Sequence, residues 1–177
     1  MINTAYNTFK LFIPRQAVGA SLIYFDLWNP TGSGKKVLVH GLVPVVSTAV
    51  AVTAALGIDL FIQRTTAIGT GGTAATFGGS DQAAATFASL AVGATYFSQI
   101  TARLTPSGGA TAGAILGWHS QQGEESLSSV QQDIWRRGMT DIPPFEIKEN
   151  AGFSVVQGSV AGVGNIGFDI LLQITDK

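Results

Sequence analysis

Residues Ser21–Val46, SLIYFDLWNPTGSGKKVLVHGLVPVV, decide the fold class. Ile23, Phe25 and Leu27 alternate with Tyr24, Asp26 and Trp28, which puts the two sets on opposite faces of a strand. Asn29-Pro30-Thr31-Gly32-Ser33-Gly34 concentrates residues that fix φ, tolerate positive φ or hydrogen-bond their own backbone, which predicts a tight turn. Val37, Val39, Val43 and Val45 then share one parity, and β-branched side chains suit a pleated, half-buried surface. The expectation is a long hairpin with one face in a core.

The same signals recur outward from this stretch. Phe9, Leu11 and Ile13 alternate up to Pro14. Ile58, Leu60 and Ile62 alternate with Asp59, Phe61 and Gln63. Strand character returns over 86–104, broken near Gly93, and again over 112–120, 145–149 and 153–157. The last segment, 165–175, alternates throughout, with Ile166, Phe168, Ile170, Leu172 and Ile174 expected in the core and the regularity of an interior strand. About eight or nine strands separated by turns predict an all-β antiparallel sandwich, and the jelly-roll type fits that count. One short helix is expected within 121–138. Glu124 and Glu125 would sit in its first turn, Arg136 and Arg137 in its last, and Gly138 just beyond. The expected organisation is an arm at 1–8 and a single domain at 9–177, carrying a long Gly/Ala/Thr-rich loop at 67–85. A loop of that length in a compact domain is usually functional or disordered.

Composition narrows the function classes. Hydrophobic residues make up 46% of the 177 and charged residues only 12%, about half the usual share. A monomer keeps itself soluble with surface charge, so the shortfall predicts a homo-oligomer or larger assembly. The net charge is −1, and the basic footprint that nucleic acid requires is missing. With no cysteine, disulfides, Cys-ligated zinc and thiol catalysis are excluded. The apolar window Val37–Leu60 is interrupted by His40, Pro44, Gly and Thr, which favours strands and a turn over a membrane helix. The start, MINTAYNTFKLFIP, lacks the basic and apolar regions of a signal peptide, so synthesis without export by a cleaved signal is expected.

The chemistry-bearing motifs are weak. Thr31–Lys36 resembles a phosphate-binding loop only superficially. The early glycine is Asn29, Lys36 stands where Ser or Thr is needed, and a strand comes next instead of a helix. Gly69-Thr70-Gly71-Gly72 lacks the strand-to-helix context of a dinucleotide fingerprint. His40 and His119 have no ligand-spaced neighbour, and Glu124-Glu125 are adjacent and would not converge on one glycosidic bond. No catalytic residue, metal site or cofactor is predicted. Trp28, Trp118 and Trp135, with His119 beside Trp118, are candidates for a subunit seam, where Trp is enriched, or for stacking on sugars. Tyr24 and Phe61 lie opposite the core parity, and Phe77 lies in the small-residue loop. These three join the tryptophans and His119 as interface candidates.

Leu27-Trp28-Asn29-Pro30-Thr31-Gly32-Ser33-Gly34-Lys35 between two strands, and Pro143-Pro144-Phe145-Glu146-Ile147 through Gly152-Phe153-Ser154-Val155-Val156-Gln157 to the final strand, resemble the small jelly-roll virion proteins of tailed bacteriophages. The resemblance covers 20–65 and 140–175. It implies a non-enzymatic part of the particle, made in the host cytoplasm. Most often this is a trimeric decoration or cement protein that binds the major capsid protein on the head surface. The alternative is a receptor- or glycan-binding module of a head fibre, spike or tail, with a host-surface glycan as partner. Neither role involves nucleic acid or a membrane.

Overall fold

The computed structural model of the chain describes residues 8–47, 56–74, 100–106, 112–123, 135–136, 144–159, 162 and 164–177, with backbone alone at 8–10, 46–47, 56–58, 74, 101, 118–123 and 135–136. The described part is all-β, with eleven strands and no helix among the described residues. In chain order these are β1 (Thr8–Ala17), β2 (Ile23–Asn29), β3 (Lys35–Ser47), β4 (Leu56–Thr65), β5 (Thr73–Ala74), β6 (Thr101–Leu104), β7 (Ala112–Gly123), β8 (Trp135–Arg136), β9 (Phe145–Ile147), β10 (Ala151–Gln157) and β11 (Asn165–Asp176).

They form two antiparallel sheets. The first runs β1-β11-β3, with β8 and β9 both pairing the far edge of β3. The second runs β5-β6-β2-β10-β4-β7. The pairing is nested along the chain: β1 with β11, β2 with β10, β3 with β9, β4 with β7. One core lies between the sheets. Tyr24 of the second sheet packs on Phe168 of the first with ring centroids 5.8 Å apart, and Phe153 meets Phe145 edge-on at 6.0 Å. Ile166, Phe168, Ile170, Leu172 and Ile174 are all fully buried. Each contributes roughly 1.5–3 kcal/mol over an exposed side chain, so the regular alternation of β11 specifies the first sheet's register.

Several expectations are corrected. Ser21–Val46 is not a hairpin. Its two arms belong to different sheets, and the turn between them is an arch across the sandwich. Alternation reports faces, and β2 and β3 each have one face in the same core. Tyr24 was expected opposite Phe25, yet both are buried in the core. Val155 pairs with Phe25 and Val156 with Ile23, so Tyr24 is an inserted bulge residue. A second bulge lies at His40, where Leu171 pairs with Gly41 and Leu172 with Val39. It shifts the parity of β3, so Leu42 is fully buried in place of Val43 and Val45, which are half-buried on the outer face. β1 does not stop at Pro14 but continues to Ala17 through an irregularity between Ile13 and Gln16. That placement is open to proline on an edge strand. The helix expected within 121–138 is strand at both ends that are described, Gln121–Gly123 in β7 and Trp135–Arg136 in β8, while 124–134 and 137–138 lie outside the described residues.

Val37–Leu60 holds β3 and the start of β4, and among the described residues no helix is long and apolar enough to cross a membrane. The arm before Thr8 and the loop beyond Ala74, with Phe77, lie outside the described residues.

Candidate functional site

The turn between β2 and β3 and the turn between β9 and β10 meet at one end of the sandwich. Asn29, the last residue of β2, is fully buried. Its Nδ2 donates to the carbonyl of Lys35 at 2.8 Å and to that of Ile147 at 3.4 Å. Its Oδ1 accepts the Ser33 hydroxyl at 2.6 Å. The Asn29 carbonyl accepts from the amide of Asn150 at 2.8 Å. One side chain thus ties the β2–β3 arch to the β9–β10 turn, and a fully satisfied buried network of this kind specifies a single arrangement. Gly34 takes φ +66, a conformation glycine adopts without the penalty of a Cβ. Its amide donates to Glu149 Oε1 at 2.7 Å, and its carbonyl accepts from Lys177 at 3.1 Å.

Around this knot lies a cleft of about 560 Å³ lined by Thr31, Lys35, Lys36, Glu146, Lys148, Glu149, Asn150 and Lys177. Lys177 Nζ is 2.9 Å from Glu149 Oε2, and Lys35 pairs with Asp176. The Lys177 ammonium, then the Gly34 amide, hold the Glu149 carboxyl below its usual pKa. Lys148 and Glu146 are 4.0 Å apart and well exposed, a geometry that contributes little to stability. The arrangement holds the Glu149 carboxylate in its ionised form and offers ammonium groups of both paired and weakly held kinds. Such a surface is suited to exchanging ion pairs with a polar partner.

The residues singled out from sequence do not gather here. Tyr24 is enclosed in the core, its hydroxyl donating to Gln157 Oε1 at 3.2 Å, and burial raises its pKa. Trp28 is also buried, on β2. Phe61 is half-buried on β4, opposite Trp118 in register, and His119 pairs with Leu60. Trp135 pairs with Leu42 in the other sheet. Register therefore unites Phe61 and Trp118 and separates both from Trp135. His40 is buried on β3, its Nε2 3.2 Å from Gln173 Oε1, and lies in the opposite sheet from His119. Among the described residues no three His, Cys, Asp or Glu side chains cluster as metal ligands would. Asn29, Glu149 and Lys177 were not singled out. Asn29 stood in a predicted turn and Glu149 beside one, but nothing local says that segments 118 residues apart share one hydrogen-bonded knot. No protein family, curated protein or solved structure matches the chain.

Proposed function

We propose that the two-sheet arrangement is a jelly roll and that the chain is a non-enzymatic structural protein of a phage particle, a decoration or cement protein bound to the assembled head. The observation that carries this reading is the nested strand order. The eight strands other than β5, β6 and β8 pair first with last and inward from there, an order suited to the jelly rolls of capsid and lectin domains. The low charged fraction fits a surface partly covered by like subunits, with a trimer the favoured form. A cement protein acts by binding only the assembled shell, and that binding stabilises the shell by mass action. The charged cleft is one surface through which shell subunits would be engaged.

Quantitative mass spectrometry of purified particles tests the reading. A copy number in the hundreds, relative to the major shell protein, is expected for decoration. A few to a few dozen copies would move the chain to a fibre, spike or tail and favour glycan or receptor binding. Absence from particles would end the virion reading. Deleting residues 1–8 is expected to weaken particle binding while leaving the thermal transition in place, and unchanged binding would remove the arm from the contact.

A further inference from the structure

The loop after β4 begins as an ordered strap against the outer face of the second sheet. The Gly69 amide donates to Asp26 Oδ2 at 2.6 Å, and Arg103 Nη1 donates to the Gly71 carbonyl at 2.9 Å. Thr73 and Ala74 then pair with Leu104 and Arg103 as β5. Gly72, at φ +65, lies so close that a Cβ would stand 2.3 Å from the Leu104 carbonyl oxygen. Asp26 itself is fully buried and its Oδ1 has no hydrogen-bond partner. It pairs in register with Arg103 on β6 and Ser154 on β10, and Ser154 pairs in turn with Gln63 on β4. The strap sequence, Thr66-Ala67-Ile68-Gly69-Thr70-Gly71-Gly72-Thr73-Ala74, contains no titratable residue. Arg103 is therefore the charged group facing Asp26 among the described elements around it.

We propose that residues 66–74 are a latched strap closed over Asp26, seated most firmly when Asp26 is protonated and loosened when it ionises. The Gly69 amide can donate to the carboxyl in either state, but an ionised carboxylate beneath the strap is cut off from water, and burying it is costly. Opening the strap returns the charge to solvent, so ionisation favours opening and protonation favours closure. Burial accordingly pushes the Asp26 pKa up, against the opposing pull of the Gly69 amide, Ser154 and Arg103, and a group whose pKa is raised by closure stabilises the closed form when it is protonated. The strap ends in β5 at the edge of the second sheet, so Asp26 sets how firmly residues 66–74 are held there.

The test is an amide NMR titration with hydrogen exchange on the isolated chain, and its outcome does not depend on where the protein works. The Gly69 signal is expected to titrate with a midpoint above the ordinary aspartate value of 3.8. Asp26→Asn is expected to abolish that titration and to slow exchange of the Gly69 amide at neutral pH roughly tenfold, the equivalent of about one pKa unit. Arg103→Gln is expected to move the midpoint further up and to loosen Gly71. A midpoint at or below 3.8, or unchanged or faster Gly69 exchange in Asp26→Asn, overturns the proposal. Should Asp26→Asn fail to fold, the titration of the parent chain and the direction of the Arg103→Gln shift decide it alone.

Discussion

Asn29 and Asp26 stand three residues apart on β2, both fully buried, and they do opposite things with burial. Asn29 is neutral and has its side-chain donors and acceptor engaged by Lys35, Ile147 and Ser33. Asp26 carries a titratable charge with one oxygen bonded to Gly69 and the other unpaired. A satisfied neutral amide joins two turns at any pH. A buried carboxyl with a raised pKa holds its segment most firmly while it is protonated. The difference separates a staple from a switch, although both are polar side chains in the same strand.

The largest test of that contrast is Asn29→Ala. It leaves the Lys35 and Ile147 carbonyls and the Ser33 hydroxyl without their partner, and a loss of about 3 kcal/mol is expected. A shifted urea midpoint at unchanged slope would report it, whereas a loss under about 1 kcal/mol would reduce the knot to an ordinary turn. Next comes Asp26→Asn, which can still accept from Gly69 while removing a buried charge. At neutral pH it is expected to raise global stability by about 1 kcal/mol and to seat the strap more firmly. A large global loss would make Asp26 a structural ion pair with Arg103 and erase the contrast.

The smallest effect is the pH dependence, and its sign distinguishes the two acids. The folded pKa of Asp26 is raised, so its stabilising contribution is full below 3.8 and is lost as pH rises through the folded value. Glu149 is lowered from 4.5, so its contribution is present above 4.5 and lost as pH falls through the folded value. The stability gap between parent and Asp26→Asn should therefore close on acidification, while Glu149→Gln should lower the neutral midpoint slightly and leave the acid end nearly unchanged, which flattens the acid limb. Melts across a pH series of the three chains would show both trends.

Strand existence was legible where alternation is long and uninterrupted. β11 and β4 follow their predicted faces, with Leu60, Ile62 and every predicted core residue of β11 buried. What alternation does not encode is partnership. β2 and β3 satisfy a hairpin pattern while pairing with β10 and β11, because the partner of each lies at least 118 residues away. Single inserted residues are nearly as silent: Tyr24 and His40 each shift the parity of the strand beyond them, and of the two only His40 has a glycine beside it, Gly41, to mark the place. The helix expected within 121–138 rested on terminal charges and a final glycine, yet strand pairing extends to Gly123 against Leu56. The charged cleft was half legible, since both turns were predicted but their meeting was not. Asp26 had been assigned to the face away from the core, which is correct for the sheet; the strap that buries that face left no periodic mark in a run of Gly, Ala and Thr.

The nested pairing also bears on how the chain is made. β1 leaves the ribosome well before its partner β11, which lies more than 140 residues further on. β3 likewise waits for β11, and β2 for β10. The first sheet cannot be completed before β11 is made, nor the second before β10, and a topology dominated by such distant pairings folds slowly once it can begin. For that interval the newly made protein carries open apolar edges, so its yield in the cell depends on being kept apart from its own copies until the final strand arrives.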